Sequence, residues 1–140
     1  MSKVAVVYWS GTGNTETMAN AVVEGAKEAG AEAELIQCGS FNAGAVANYD
    51  AIAFGCPAMG AEELEESEFA PMYSDVEGSL SGKKIALFGS YGWGDGEWMR
   101  SWAESAKNAG ANLATDCVMA NNDPDDDAIA QCKALGKALA

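Results

Sequence analysis

The chain has no histidine, and its four cysteines show no C-x-x-C spacing. These cysteines are Cys38, Cys56, Cys117 and Cys132. Zinc and iron–sulfur sites are built from closely spaced cysteines, often with histidine. The sequence therefore predicts no metal centre, and reduced thiols buried in the core are the simpler interpretation.

Basic residues are also scarce. The chain carries 8 Lys and Arg against 21 Asp and Glu, a formal net charge of −13. Nucleic acids and anionic membranes attract basic surfaces, so this balance argues against both as partners. We expect instead protein partners that present basic docking patches.

Long hydrophobic runs are missing. The first apolar run, Val4–Trp9, is far too short to span a membrane and does not have the form of a signal peptide, so we expect a cytoplasmic protein. A chain of 140 residues is the size of one domain and buries about two-thirds of its unfolded surface. We therefore expect a single domain over residues 1–140, and a monomer.

Apolar runs alternate with helical patterns along the chain. Three runs are continuously apolar, as expected for parallel strands covered on both faces: residues 4–9, 51–56 and 84–89. Weaker strands are predicted around residues 33–36 and 113–119. The spacing of Met18, Val22 and Ala26 predicts a helix that stops at Gly30.

Two more helices complete the pattern. One passes through Trp98 and Trp102 and ends at Gly110; the last begins at about Pro124, with Asp123 as its cap. Five strands alternating with helices predict an α/β fold, a doubly wound parallel sheet with helices on both faces. Ligands bind such sheets at the carboxyl ends of the strands, where three loops are expected: Ser10–Thr15, Pro57–Glu62 and Ser90–Glu97.

The first loop lies in the stretch YWSGTGNTE, residues 8–16. It contains no lysine, which excludes a Walker A loop, and Glu16 replaces the third glycine of a dinucleotide fingerprint. Backbone N–H groups and hydroxyls at a helix N-terminus remain, which suit a phosphate monoester. The alternative is an ordinary glycine-rich turn with hydroxyl caps.

The other two loops predict a flat ligand. Trp93 stands between Gly92 and Gly94, where a large aromatic is poorly placed for the core and well placed for stacking. Met59 could cover the opposite face. The alternative is a tryptophan folded back onto its helix, the arrangement expected for Trp98 and Trp102.

The segments WSGTGNTE, GCPAMG followed by EELEESEF, and ALFGSYGWGDGEWMR resemble the flavodoxins, specifically the short-chain flavodoxins of anaerobic bacteria. The resemblance covers nearly the whole chain. It implies a flavodoxin-like sheet of five strands in the order 2-1-3-4-5 and non-covalently bound FMN. Two departures stand out: Pro57 replaces a serine of some relatives, and Ala61 replaces an aspartate.

The resemblance also implies the cofactor-binding residues. Trp93 and Met59 would cover opposite faces of the isoalloxazine ring, Glu62 would lie near the pyrimidine N3, and Gly60 would turn its carbonyl toward N5. The full predicted set is Ser10, Gly11, Thr12, Gly13, Asn14, Thr15, Pro57, Ala58, Met59, Gly60, Ala61, Glu62, Ser90, Tyr91, Gly92, Trp93 and Gly94. No catalytic side chain is expected.

The implied function is low-potential, one-electron transfer between redox enzymes through the semiquinone–hydroquinone couple of FMN. Acids near the ring (Glu62, Glu63, Asp95 and Glu97) should oppose added negative charge, whereas Glu65, Glu66 and Glu68 are expected on a solvated surface. An FMN-dependent NAD(P)H or quinone reductase is the alternative. A signalling receiver domain is excluded because residues 8–10 and 55–57 lack its acids.

Overall fold

A computed structural model describes residues 2–11, 13–59, 63–92 and 96–140. These ranges contain six strands, five α-helices and a 3₁₀ turn at Cys38–Ser40. In chain order the elements are β1 (Lys3–Tyr8), α1 (Asn14–Glu28), β2 (Glu32–Gln37), α2 (Ala43–Val46), β3 (Ala51–Gly55), α3 (Phe69–Glu77), β4 (Lys84–Tyr91), α4 (Glu97–Asn108), β5 (Asn112–Leu113), β6 (Val118–Asn121) and α5 (Asp126–Leu139).

The strands form one parallel sheet. β1 pairs with both β2 and β3, β3 pairs with β4, and β4 pairs with both β5 and β6. This is the predicted order 2-1-3-4-5, with the fifth position filled by two strand segments. The sheet grows outward from β1 in both directions, so the chain reverses direction across the sheet beside that strand, which is where such folds bind ligands.

The predicted continuous strand over residues 113–119 is wrong, because the edge of the sheet is interrupted. β5 pairs with Lys84 and Ile85, and β6 resumes pairing at Phe88. Residues 114–117 on the edge therefore lie opposite only residues 86–87 of β4. The two additional residues cannot keep ladder register and leave the sheet as an enlarged bulge.

Both faces of the sheet are covered, which explains the continuous apolar runs. Along β1, Val4, Val6 and Tyr8 belong to a core cluster with α1 and α5, whereas Ala5 and Val7 belong to a cluster with α3 and α4. Side chains alternate between the two faces of a strand, so a doubly covered strand must be apolar at every position. All five of these residues are buried.

The helix boundaries follow local signals, with one correction. α1 buries Met18, Val22 and Ala26 as predicted, and Gly30 beyond its end has a φ of 94°. The last helix is capped by Asp125 and not by Asp123, because the Asp125 carboxylate accepts the N–H of Ala128 at 2.8 Å. Among the described residues, no helix has the length and apolar character needed to cross a membrane.

α1 and α5 pack with their backbones in contact. A Cβ atom on Gly25 of α1 would overlap the carbonyl oxygen of Lys133, and one on Gly136 of α5 would overlap that of Val22. The crossing is flanked by two ion pairs, Lys133–Glu24 at 3.1 Å and Lys137–Glu28 at 3.5 Å. Two glycines facing each other's helix thus set the separation of these elements.

Candidate functional site

A cleft of about 230 Å³ opens at the carboxyl ends of β1, β3 and β4. It receives residues from all three predicted loops and from the end of β6. The lining residues are Trp9, Gly11, Asn14, Pro57, Ala58, Met59, Ser90, Tyr91, Gly92 and Asn122. None of these lining residues is basic.

The first loop wraps tightly before α1. Gly13 occupies the cap position with a φ of 96°, a left-handed conformation that favours glycine. Its N–H donates to Ser10 Oγ at 3.0 Å, and its carbonyl accepts the hydroxyl of Thr17 at 2.9 Å. Because the cap residue is glycine, it has no side chain to cap the helix, and within the described residues the start of α1 keeps backbone N–H groups available to a ligand.

These groups form a donor set that fits a phosphate. The Ser10 oxygen accepts the Gly13 N–H, which leaves its own hydroxyl proton free to donate. The helix N-terminus supplies backbone donors and a favourable dipole for an anion. A phosphate monoester could therefore be held here without a lysine or arginine.

A buried hydroxyl pair joins the first loop to the third. Thr15 Oγ1 and Ser90 Oγ lie 3.2 Å apart, and their residues are 1% and 5% exposed. The Thr15 hydroxyl thus lies beneath the first loop, hydrogen bonded to the end of β4. This contact fixes the start of α1 against the third loop.

The middle loop is closed by backbone hydrogen bonds. Met59 and Glu63 exchange two bonds, with N···O distances of 2.8 and 2.9 Å, and Ala58 N–H donates to Ser90 O at 3.0 Å. These bonds hold Met59 at the rim of the cleft, where its side chain is 38% exposed. A large apolar side chain held in water suits contact with a planar ligand.

Cys56 anchors the same loop from below. Its sulfur receives the N–H of Glu65 at 3.4 Å, and it is completely buried. Burial raises the pKa of this thiol to about 12. Cys56 therefore stays protonated at neutral pH and acts as a structural residue, as the sequence predicted for the cysteines.

The third loop leaves β4 beside two aromatic rings. The ring of Tyr91 packs against Trp98 with centroids 5.6 Å apart, and Trp98 Nε1 donates to the carbonyl of Cys56 at 3.1 Å. Trp98 and Trp102 were predicted to fold back onto their helix, and both are buried in the core cluster on this side of the sheet. Tyr91 remains half-buried and lines the cleft.

The structure brings together most predicted site residues that it describes. Eight of them line the cleft: Gly11, Asn14, Pro57, Ala58, Met59, Ser90, Tyr91 and Gly92. Gly13 and Thr15 lie at the start of α1, and Ser10 lines an adjoining polar cleft. The predicted residues Thr12, Gly60, Ala61, Glu62, Trp93 and Gly94, and the nearby acid Asp95, lie outside the described residues.

Two lining residues were not predicted. Trp9 was assigned to the first strand, but β1 ends at Tyr8 and Trp9 lies beyond it at the mouth of the cleft. Asn122 follows β6 with a φ of 57°, and its N–H donates to the carbonyl of Tyr91 at 2.7 Å. An asparagine directly after a strand is a sequence signal for this left-handed turn.

Glu65 corrects the prediction of a solvated acidic segment. Glu66 and Glu68 are exposed as expected, but Glu65 is only 6% exposed. Its carboxylate accepts the backbone N–H groups of Ser67, Glu68 and Phe69 at 2.7–2.8 Å. Burial acts to raise the pKa of Glu65, but these hydrogen bonds outweigh it and hold the pKa below its usual range.

An apolar groove runs between α3 and α4, next to the middle and third loops. Its apolar lining includes Leu64, Ala70, Tyr73, Trp98 and Trp102, and its acidic residues are Glu63, Glu66 and Glu97. Within the described part of the chain, Tyr73 Oη and Trp102 Nε1 are buried without a hydrogen-bond partner. Burial, then the charge of Glu77, raises the pKa of Tyr73 to about 12, so its hydroxyl stays neutral.

Comparison with known proteins gives a consistent result. Residues 6–136 match the model of the protein family described as Flavodoxin. The chain is similar to the flavodoxin of Megasphaera elsdenii, with 47% identity over 137 residues and 98% of each chain covered. It is also similar to that of Clostridium beijerinckii, with 44% identity over 135 residues, covering 96% of this chain and 97% of the relative.

Solved structures agree with these relatives. The fold is similar to the solution structure of two-electron reduced Megasphaera elsdenii flavodoxin, with a TM-score of 0.90, 48% identity and 97% of each chain covered. It is also similar to a flavodoxin from the domain Archaea, with a TM-score of 0.86, 28% identity, 98% of this chain and 95% of the other covered.

Proposed function

Because the chain belongs to the flavodoxin family and is an FMN-binding electron carrier, not an enzyme, we propose that it carries single electrons at low potential between redox enzymes. The observation that carries this proposal is the cleft, where a helix N-terminus with glycine at its cap position meets an apolar wall and none of the described lining residues is basic. The reductase alternative is not favoured, since the similar full-length relatives are flavodoxins.

The same proposal assigns the residues that hold FMN across the whole domain, residues 1–140. The phosphate would lie on the first loop, at Ser10, Gly11, Thr12, Gly13, Asn14 and Thr15. The ring would lie between residues 57–62 and 90–94. When bound, FMN supplies the one-electron redox chemistry; the protein binds it, orients it and limits its contact with water.

Low potential follows from the charges around the cleft. One carboxylate about 10 Å from the ring, at an effective dielectric of about 20, opposes an added electron by about 1.7 kcal/mol. For one electron this is about 70 mV. Glu63 directly follows the middle ring-binding segment and Glu97 lies three residues beyond the third, and none of the described residues that line the cleft is basic. More distant acids are screened beyond about 8 Å at physiological salt.

We further propose that its redox partners dock through basic patches, and that the protein is a cytoplasmic monomer. The acidic residues Glu63, Glu66 and Glu97 support the docking because they surround an apolar groove beside the cleft. The four free cysteines support the cytoplasm, where thiols stay reduced.

Titration of the apoprotein with FMN and riboflavin tests the assignment of the first loop. FMN should bind far more tightly, because riboflavin lacks the phosphate. Ser10→Ala should weaken FMN binding by about 1.5–3 kcal/mol through a lost hydrogen bond to a charged group, and leave riboflavin binding unchanged. Ser74→Ala, at an exposed position of α3, is the matched control. Equal affinity for FMN and riboflavin would defeat the proposal.

A further inference from the structure

A side-chain hydrogen bond joins the end of β1 to the start of α3. The indole Nε1–H of Trp9 donates to Glu68 Oε1 at 3.1 Å, across 59 residues of sequence. The backbone of Trp9 is also fixed, since its N–H donates to Gly55 O at 3.0 Å. The indole is therefore held at both its backbone and its ring nitrogen.

The six-membered ring of Trp9 lies directly against the first loop. A Cβ atom on Gly11 would be 3.0 Å from Cη2 and 3.3 Å from Cζ3 of that ring. Gly11 lines the cleft, and its lack of a side chain permits this close approach. The position of the indole thus limits the shapes that the first loop can adopt.

Glu68 is itself fixed by the buried carboxylate of Glu65. The backbone N–H of Glu68 donates to Glu65 Oε1 at 2.7 Å, and its carbonyl accepts the N–H of Met72 at 3.3 Å. A continuous series of contacts therefore runs from Glu65 through Glu68 and Trp9 to Gly11.

We propose that Glu68 and Trp9 are positioning residues for the phosphate group of FMN, an inference that rests on the proposed function of the first loop. The hydrogen bond keeps the indole against Gly11 and so keeps the loop in the shape that binds the phosphate. The negative charge of Glu68 acts in the opposite direction, because it repels a phosphate nearby. Position and charge can therefore be separated experimentally.

Two substitutions of Glu68 make that separation. Glu68→Gln removes the charge but keeps an oxygen that can accept the Trp9 N–H, so FMN should bind as tightly as before or more tightly. Glu68→Ala removes both, and should bind FMN roughly tenfold more weakly than Glu68→Gln. Riboflavin should bind equally to both variants, because it lacks the phosphate.

A double-mutant cycle provides the second readout. Trp9→Phe keeps an aromatic ring at this position but removes the N–H, and should weaken FMN binding at least as much as Glu68→Ala does, because the charge of Glu68 remains. The double variant with Trp9→Phe and Glu68→Ala should lose no more affinity for FMN than either single variant loses. In the apoprotein, the indole N–H resonance of Trp9 should shift in Glu68→Ala and stay near its original position in Glu68→Gln.

The outcomes distinguish this proposal from the function on which it rests. If Glu68→Ala and Glu68→Gln bind FMN equally while FMN is still preferred over riboflavin, the positioning role is wrong and the phosphate site stands. Additive losses in the cycle would also overturn it. If the wild-type protein shows no preference for FMN over riboflavin, the phosphate site itself fails.

Discussion

The buried carboxylate of Glu65 organises the start of α3. Three backbone N–H groups converge on it, and the formal cap residue, Glu68, makes no capping bond with its own side chain. Donors at a helix N-terminus need acceptors, and here the acceptor comes from the preceding loop. The acidic segment is therefore partly a structural element.

We predict that Glu65→Ala lowers the free energy of unfolding by about 2 kcal/mol, because it leaves three N–H groups without their acceptor. Urea denaturation measures this change. Glu66→Ala removes a neighbouring exposed carboxylate and should change the midpoint little. Equal midpoints for the two variants would show that Glu65 does not cap α3.

The same carboxylate predicts a pH dependence. The pKa of Glu65 is lower in the folded protein than its ordinary value of 4.5, so folding favours its charged form. Its stabilising contribution is complete above that ordinary value and is lost as the pH falls through the lower folded pKa. The difference in unfolding free energy between wild type and Glu65→Gln should therefore shrink in acid. A constant difference would contradict this.

Single residues were predicted where local chemistry decides their role. The loop glycines and hydroxyls were predicted to bind an anion because anion binding needs those groups at a helix start, and this role stays a prediction. Glu65 and Trp9 could not, because their roles depend on partners that only the fold brings close. A glutamate within an acidic run is typical of an exposed surface, and a tryptophan at the end of an apolar run is typical of a strand.

At the scale of elements, the close contact of α1 with α5 depends on Gly25 and Gly136, which have no side chains to separate the helices. We predict that Gly136→Ala destabilises the protein by about 1–3 kcal/mol, because its methyl group would overlap the backbone of α1. Helix propensity alone predicts the opposite, a gain of about 1 kcal/mol. Gly78→Ala is the control, since its φ is −66° and its Cβ would meet nothing within 4 Å.

Thermal and urea unfolding of both variants decide the matter. Gly78→Ala should be neutral or slightly stabilising. If Gly136→Ala is as stable as Gly78→Ala, the two helices can separate at little cost, and their close approach does not contribute to stability.

The elements themselves were largely predictable. Strands buried on both faces must be apolar throughout, so β1, β3 and β4 stood out in the sequence. The interruption between β5 and β6 did not, because Leu113, Val118 and Met119 on either side of it are apolar residues that suggest one continuous strand. Only their pairing with β4 shows that two residues are in excess. Strand order came from the resemblance to a known family.

At the scale of the whole molecule, a net charge of −13 should govern association. We predict that electron transfer to cytochrome c, used as a basic acceptor protein, slows as salt rises from about 0.02 to about 0.3 M. Salt screens the attraction between the two proteins more strongly over this range. Glu97→Gln should lower the rate by about twofold at low salt and reduce the salt dependence. Stopped-flow mixing of the reduced protein measures both.

Glu32→Gln is the matched control, because Glu32 is exposed on β2 at the opposite end of the sheet. Electron transfer to a small uncharged acceptor is the second control. Its rate should not depend on salt, so any change that it shows in a variant reports the driving force and not docking. If Glu32→Gln and Glu97→Gln slow the reaction equally, only net charge matters, and the groove beside the cleft is not the docking surface.

The pairing of α1 with α5 bears on how the chain folds during synthesis. α1 is complete by Glu28, but the face that meets Gly136 has no cover until more than a hundred further residues have been made. Val22 and Ala26 on that helix would meanwhile lie open to water, a condition in which nascent chains aggregate. Closing so long a chain segment also makes assembly of this face slow compared with local helix formation. The apolar face of α1 in a newly made chain therefore stays exposed, and prone to aggregation, until α5 has been made and can cover it.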